Sequence, residues 1–154
     1  PEGRVSDTAV SGHDIVPTLF HYAGIELPWP MHGRNISTLI EHPEQYSEHA
    51  VLLAYTGRTY GSDTAVLPGP EDLGANGINW WVSYRQHQYK YVMNLVRHEV
   101  EELYDLEQDP DELRNLALEK NYMKLVRSFR EKTLAELRRT DCPFAEDVAA
   151  WFTD

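Results

Sequence analysis

The sequence of 154 residues contains a single cysteine, Cys142, and no long apolar run. One cysteine excludes an internal disulfide and a zinc site built from several cysteines. No run approaches the roughly 20 apolar residues that span a bilayer. Lysine and arginine number 14 against 25 aspartates and glutamates, so the formal net charge is −11. This charge argues against binding to nucleic acid or to an anionic membrane surface, because both need a basic footprint.

Several motifs of enzyme chemistry are also absent. There is no Gly-x-Ser-x-Gly nucleophile elbow, no P-loop and no dinucleotide-binding fingerprint. His13 and His21 are eight residues apart and Asp14 follows His13, but ordinary histidines and a helix cap at Asp14 account for them. His42 and His49 have no cluster of carboxylates beside them. The sequence therefore predicts no metal site of its own.

Apolar periodicity predicts two principal helices. The first begins at Asp14 and ends at Gly24, and its apolar face consists of Val16, Leu19, Phe20 and Ala23. The second runs from Glu119 to Arg139, and its apolar stripe consists of Tyr122, Leu125, Val126, Phe129, Leu134 and Leu137. Shorter helices are expected at 36–41 and 144–152.

Four segments have the composition of strands, at 49–55, 80–84, 89–96 and 100–106. The last three follow one another across short connections, so an antiparallel meander with 49–55 alongside is expected. A Gly- and Pro-rich loop at 56–79 is longer than an ordinary connection. Together these patterns predict an α+β fold, in which a sheet of about four antiparallel strands is packed by the long C-terminal helix.

The stretch from Glu101 to Ala117 predicts a strand that turns into a helix. Asp109 is placed to cap this helix, Pro110 suits its first position and Glu112 completes a capping box. Turn and cap chemistry accounts fully for these polar residues. We therefore interpret the following as architectural: Tyr104, Asp105, Asp109, Glu112 and Asn115.

Three stretches, in order, resemble the sulfatase family of the alkaline-phosphatase superfamily. Residues 101–117 resemble its closing motif, E-E-L-Y-D-L-x-x-D-P-x-E-x-x-N-L-A. Residues 10–25, followed by Gly33-Arg34, resemble V-S-x-x-D-I-x-P-T-L-x-x-x-A-G-I and G-R-S-L. Residues 85–94 resemble R-x-x-x-Y-K-Y-I-x-N. These motifs belong to the C-terminal part of a sulfatase only, so we expect a fragment of a longer protein.

The resemblance implies two regions with different origins. Residues 1–45 are expected to be the tail end of the α/β catalytic domain, comprising a helix and a linker, and 46–154 a C-terminal α+β subdomain. The expected partner is the N-terminal catalytic domain of the same polypeptide. Without it, apolar interface should be exposed around Val16, Leu19, Phe20 and Trp29, causing self-association or fraying of the first helix.

The resemblance also implies cofactors that these residues do not match. Sulfatases use a cysteine oxidised to formylglycine, in a C-x-P-S-R or C-x-A-S-R context, and a divalent cation such as calcium. Cys142 lies in Cys-Pro-Phe-Ala and late in the sequence, whereas the family nucleophile lies near the N-terminus. We therefore expect no catalysis from this chain alone. Asn35-Ile36-Ser37 satisfies a glycosylation sequon, but we interpret Asn35 as a helix cap.

In the family, loops of the C-terminal domain lean over the catalytic pocket and help to select the leaving alcohol. The candidate substrate-binding residues by position are Arg58, Tyr60, Trp80, Trp81, Arg85, Asn94, Arg97 and His98. Arginine can fork onto a sulfate, and tryptophan can stack on a sugar or aryl face. A core aromatic or a surface ion pair is the competing interpretation for each, and alternation along a strand predicts that Trp80 or Trp81 is core. Val82 replaces the first of two family arginines, which weakens a paired-arginine clamp.

The expected parent activity is hydrolysis of a sulfate ester or a sulfamate. Residues 83–95 and 140–143 are similar to the N-sulfoglucosamine sulfohydrolase branch, which favours a carbohydrate sulfate. Two alternatives stay open. One is the C-terminal part of a phosphonate or phosphate ester hydrolase of the same superfamily, and the other is a stand-alone interaction module whose Gly/Pro loop binds a partner.

Overall fold

The computed structural model describes residues 3, 5–44, 48–69 and 78–153. The chain divides into two compact units, Pro1–Val51 and Leu52–Asp154. The assignment of residues 1–45 to a catalytic domain stays a prediction. Within the described ranges, every helix is too short or too polar to cross a membrane.

The first unit contains α1 (Ile15–Ala23), α2 (Ser37–Glu41) and the start of β1 (Ala50–Tyr55). A 3-10 turn at Gly12–Asp14 leads into α1. Gly24 ends α1 as predicted, with a φ of 65°, and its N–H donates to the carbonyl of His21 at 3.1 Å. A left-handed residue of this kind satisfies carbonyls that the end of the helix leaves open, and glycine adopts it without steric cost.

The predicted apolar face of α1 is not buried by the chain. Val16 is 42% exposed and Leu19 61%, and Trp29 beyond the helix is 63% exposed. The helix instead buries Pro17 and Thr18. The expected exposure of apolar surface is therefore confirmed at Val16, Leu19 and Trp29. Self-association and fraying stay predictions.

Gly33 lies directly against the backbone that precedes α1. A Cβ atom at this position would be 1.9 Å from the carbonyl oxygen of His13. This close approach places the N–H of Arg34 2.8 Å from the Asp14 carboxylate, to which it donates. The Gly-Arg pair of the sequence therefore has a packing reason, because any side chain at Gly33 would push the two segments apart.

The second unit is built on a four-stranded sheet with the order β1-β2-β3-β4. Here β2 is Trp81–Gln86, β3 is Tyr89–Asn94 and β4 is Glu102–Asp105. The pairs β2–β3 and β3–β4 are antiparallel. A two-residue turn, in which His87 has a φ of 51°, joins β2 to β3. The predicted meander is confirmed, and no strand end differs from its predicted position by more than two residues.

Two helices follow the sheet, α3 (Met123–Arg139) and α4 (Ala145–Ala150). Phe129 of α3 lies against three rings of the sheet, with centroid distances of 6.0 Å to Tyr84, 5.9 Å to Tyr89 and 6.5 Å to Tyr91. Other core residues on α3 are Val126, Leu134 and Leu137. The α+β fold class and its long C-terminal helix are therefore confirmed.

The helix predicted to start at Pro110 does not form, so the capping interpretation of this stretch was wrong. The Asp109 carboxylate accepts from the N–H groups of Leu113 at 3.0 Å and Arg114 at 2.8 Å, beyond the reach of a first-turn cap. Glu112 has a φ of 56°, outside the helical region. Its carboxylate binds the Lys90 ammonium at 2.6 Å. This tertiary ion pair favours a loop over the local helix signal.

Asn115 seals the outer edge of β4, as its architectural interpretation anticipated. Its side-chain oxygen accepts from the N–H of Leu103 at 3.0 Å, and its amide donates to the carbonyl of Glu101 at 3.0 Å. The same oxygen accepts from the N–H of Ala117 at 2.9 Å. One side chain thus satisfies two backbone groups of an edge strand, which otherwise invite pairing with another chain.

Replacing Gly33 by alanine should destabilise the first unit, because the new methyl group cannot fit beside the His13 carbonyl. We expect a loss of roughly 1–3 kcal/mol in the free energy of unfolding. Gly12→Ala is the matched control, since a Cβ there meets nothing within 4 Å. Hydrogen exchange of residues 14–25 measures the effect locally. Equal protection in both variants would contradict the packing argument.

Replacing Asn115 by alanine should leave the N–H of Leu103 and the carbonyl of Glu101 without this partner. The expected loss is about 1–3 kcal/mol, the usual penalty for polar groups deprived of a hydrogen bond. Urea unfolding followed by tryptophan fluorescence measures it. Asn121→Ala is the control, because Asn121 is exposed and, like Asn115, precedes α3. This change should leave the free energy of unfolding nearly unaltered. A midpoint unchanged in Asn115→Ala would show that water replaces the amide without penalty.

Candidate functional site

The sheet has an inner face against α3 and an opposite face, which we call the outer face. Tyr84 contacts Phe129 of α3, and the side-chain oxygen of Gln86 accepts from Lys132 at 2.6 Å. Because successive side chains of a strand point to opposite faces, Trp81 and Arg85 lie on the outer face. The register pairs Trp81 with Asn94 and Arg85 with Lys90.

The outer face therefore brings together three of the predicted substrate-binding residues: Trp81, Arg85 and Asn94. Trp81 stacks on Tyr55 of β1, with a centroid distance of 5.6 Å and an interplanar angle of 16°. Arg85 is exposed. This face presents an aromatic pair and a cation to one side of the sheet, whereas Val82 is completely buried on the other side.

Three other predicted residues lie apart from this group. Trp80 is 5% exposed and contacts the ring of Phe144, so it is a core residue, as expected for one of the two tryptophans. Arg58 and Tyr60 are exposed on the loop after β1. Arg58 lies in a turn in which the N–H of Thr59 donates to the carbonyl of Thr56 at 3.1 Å. Residues 70–77 of the predicted functional loop lie outside the described residues.

Arg97 and His98, the last two predicted residues, line a small pocket together with Asn94. The pocket has a volume of about 100 Å³. Its full lining is Met93, Asn94, Val96, Arg97, His98, Glu99, Glu101, Trp151 and Phe152. His98 has a φ of 69°, and the Asn94 amide donates to the Val100 carbonyl at 3.3 Å across the connection between β3 and β4.

A charged network underlies one wall of this pocket. The Nε of Arg130 donates to Glu101 at 2.7 Å, a second guanidinium nitrogen binds the same carboxylate, and the Tyr91 hydroxyl donates to it as well. Burial and then the Glu101 charge raise the pKa of Tyr91 far above its ordinary value, so this phenol stays protonated. The guanidinium of Arg130 also lies 4.2 Å from the centroid of the Phe152 ring.

Sequence reasoning missed Arg130, Trp151 and Phe152 as parts of this arrangement. Arg130 belongs to the charged side of α3, where its pattern resembles any solvated arginine. Trp151 and Phe152 follow α4, and no local motif connects them with β3. The sequence signal for this network was the pair Glu101-Glu102 at the start of the 101–117 stretch. A glutamate that a strand places partly in the core needs a cationic partner.

A second polar cluster lies within the first unit, around the buried carboxylate of Asp14. Its oxygens accept from the N–H of Ser11 at 2.8 Å and from that of Arg34 at 2.8 Å, and one lies 3.0 Å from Nε2 of His49. The side chain makes no capping bond to α1, which corrects its predicted role. Burial opposes ionisation, but the Arg34 and Ser11 N–H groups and His49 outweigh it and lower the pKa of Asp14.

The cofactors that the sulfatase resemblance implies concern Cys142 and groups of metal-binding side chains. Cys142 is half-buried, and burial raises the pKa of its thiol, which disfavours the nucleophilic thiolate. No cluster of three or more His, Cys, Asp or Glu side chains able to hold a metal occurs in ranges 5–44, 48–69 and 78–153. That this chain holds neither formylglycine nor calcium stays a prediction.

Known proteins that resemble this chain in sequence and in structure include sulfatases. No protein-family model matches the sequence. An arylsulfatase of Clostridium perfringens is 28% identical over 136 residues, which are 88% of this chain and 24% of that protein. The solved structure of a 2-O GAG sulfatase matches 86% of this chain and 26% of its own, with a TM-score of 0.61 and 25% identity.

The chain is similar to the C-terminal part of sulfatases. It spans about a quarter of the length of the two sulfatases above. A phosphonate monoester hydrolase of Agrobacterium radiobacter shares the fold, with a TM-score of 0.59 at 24% identity over 82% of this chain and 24% of that one. At this identity the second likeness concerns the fold alone. The sulfatase motifs found in the sequence thus agree with both sequence and structural similarity.

The lowered pKa of Asp14 predicts how stability depends on pH. Because its pKa lies lower in the folded than in the unfolded chain, the stabilisation is present above the ordinary value of about 3.9 and is lost as pH falls through the folded pKa. Asp14→Asn should lower the unfolding free energy at pH 7 by roughly 1–3 kcal/mol and flatten its decline in acid. Urea unfolding between pH 7 and 3 measures both.

Asp7→Asn is the control for that experiment, since Asp7 is an exposed aspartate of the same unit. It should keep the pH dependence of the unaltered protein. If Asp14→Asn also kept it, the carboxylate would not be the group that couples acid to unfolding.

Proposed function

We propose that this chain is the C-terminal part of a sulfuric ester hydrolase, to which it supplies scaffold and substrate-contacting side chains. The observation that carries the proposal is the similarity of 86–88% of the chain, in sequence and fold, to about a quarter of two sulfatases. The catalytic nucleophile and the divalent cation then belong to the part of such a protein that this chain does not match.

The chemistry of the described residues supports this division of roles. A half-buried thiol with a raised pKa is a poor nucleophile, and the sequence around Cys142 lacks the arginine of the formylglycine context. We propose that formylglycine and a cation such as calcium reside in an N-terminal catalytic domain. This chain's own contribution is to bind and orient the sulfated substrate.

The outer face of the sheet supports a substrate-contacting role. Trp81 and Tyr55 offer an aromatic surface of the kind on which a sugar or aryl ring packs, and Arg85, four residues after Trp81 in β2, places an exposed cation on the same face. A carbohydrate sulfate ester or sulfamate is the preferred substrate class. An aryl sulfate would use the same aromatic surface.

The exposed apolar side of α1 supports packing against another protein domain. Its large apolar residues within the first unit include Ile15, Val16, Leu19 and Tyr22, which are 42–61% exposed. Contiguous apolar surface of this kind marks an interaction site on a protein. We propose that this side packs on the catalytic domain of the same polypeptide.

A phosphonate or phosphate ester hydrolase of the same superfamily is the second candidate, favoured by the shared fold of the Agrobacterium enzyme. A stand-alone interaction module is the third, and residues 70–77 of its Gly/Pro loop at 56–79 lie outside the described ranges. The upstream reading frame separates the sulfatase from the interaction module. An in-frame C-x-P-S-R or C-x-A-S-R favours the sulfatase, and a gene encoding these residues alone favours the interaction module.

The direct test is an assay of this chain with an aryl sulfate in the presence of calcium. We expect no turnover, because neither nucleophile nor cation ligands are available among the described residues. Cys142→Ser is the matched variant and should behave identically. Turnover that disappears in Cys142→Ser would overturn the proposal, whereas the longer polypeptide with its upstream cysteine motif should be active under the same conditions.

A further inference from the structure

The two edges of the four-stranded sheet differ in how they are covered. At one edge, the Asn115 side chain occupies the N–H of Leu103 and the carbonyl of Glu101, so part of β4 is closed to another strand. At the other edge lies β1, which has a neighbouring strand on one side only among the described residues. The sheet can therefore be extended more readily at β1 than at β4.

The sequence of β1 lacks the features by which proteins commonly protect an edge strand. Its six residues, Ala-Val-Leu-Leu-Ala-Tyr, include no charged residue, no proline and no glycine. Leu53 is 57% exposed and Ala54 is exposed as well. The Ala50 carbonyl accepts from the Arg34 guanidinium at 3.2 Å, which covers the beginning of the strand. The open part of the edge is therefore Leu52–Tyr55.

The chemistry of an open edge specifies its ligand. Its free N–H and C=O groups pair with those of an extended polypeptide. Because β1 carries no charge, two copies of it can approach without repulsion between their strands. Since β4 is partly closed by Asn115, pairing of β1 with β1 uses up the open edges and ends at two copies instead of a filament. These points favour a second copy of the chain as the occupant.

The side chains of β1 suit such a symmetric pair. Tyr55 stacks on Trp81 of the outer face, so Leu53, two residues earlier, lies on the outer face too. Antiparallel pairing about a two-fold axis perpendicular to the sheet keeps the outer faces of both copies on one side. The exposed Leu53 side chains then lie beside each other and lose contact with water.

The charges that flank β1 complement each other in the same arrangement. Glu48 lies two residues before the strand, and Arg58 lies three residues after it. Antiparallel pairing places the beginning of one strand beside the end of the other. Charges of opposite sign therefore flank the pair at both ends, which favours this orientation over a parallel one.

We propose that β1 is a homodimerisation edge, at which two copies of the chain pair antiparallel and join their sheets into one of eight strands. The inference rests on the position and the sequence of β1 and does not depend on the proposed function. The contact is separate from the apolar side of α1, which is left to the catalytic domain.

The first test is sedimentation velocity of the chain between about 1 μM and 1 mM. We expect a monomer–dimer equilibrium with a Kd of roughly 1–100 μM, because two short edges bury less surface than a standard interface. Hydrogen exchange at both ends of this range provides a second readout. The amides of residues 52–55 should become more protected as the dimer forms, whereas those of residues 89–94, already paired on both sides, should not change.

Variants locate the contact. Leu53→Lys should weaken dimerisation at least about tenfold, because it brings two like charges together across the two-fold axis. Leu118→Lys is the matched control, since Leu118 is 71% exposed in the connection before α3, and should leave Kd unchanged. Leu19→Lys, on the exposed side of α1, should also leave Kd unchanged. Circular dichroism checks that each variant is folded.

Three results would overturn the proposal. One is a monomer at every concentration. Another is a dimer that persists in Leu53→Lys and dissociates in Leu19→Lys, which would move the contact to α1. The third is protection of residues 52–55 that does not depend on concentration, a result that needs no variant. Failure of the proposed function is a separate matter, because an upstream frame without the cysteine motif would reveal it.

Discussion

The packing of α3 against one face of the sheet fixes what the other face presents. Phe129 lies among the rings of Tyr84, Tyr89 and Tyr91, so these positions of β2 and β3 must point inward. Alternation then forces the intervening residues outward. The position of Trp81 and Arg85 on the outer face is thus a consequence of core packing. A one-residue shift in the register of β2 would turn Arg85 toward α3 and the core side chains of β2 toward the outer face.

The contact between Arg130 and Glu101 illustrates a different use of charge. Glu101 is 17% exposed and Arg130 21%, so both are largely removed from water. Such a pair contributes little net stability, because desolvation offsets most of the attraction, yet loss of either partner is strongly destabilising. Its value lies in specificity. The fork of hydrogen bonds permits one orientation of the connection from β3 to β4, and with it one shape of the pocket.

Periodicity predicted the long helix and the meander because their signals are repeated over many residues. The helix predicted after Asp109 does not form for the opposite reason, because its signal is local and short. Glu112 instead has a positive φ and binds Lys90, far earlier in the chain, and no local rule anticipates this contact. The candidate site shows the same division: alternation anticipated a core tryptophan beside an outward one, whereas Trp151 reaches the pocket only through tertiary packing.

The first unit has its polar groups inside and apolar groups outside along α1. Asp14 is 3% exposed and its carboxylate is surrounded by donors, while Leu19 is 61% exposed. A surface helix of a globular protein normally shows the reverse distribution, with charged residues toward water. The donors around Asp14 fix the start of α1, and Gly33 allows the following segment to approach it. A helix anchored on its polar side, with its apolar side exposed, is the arrangement that the proposed packing of α1 on a catalytic domain requires.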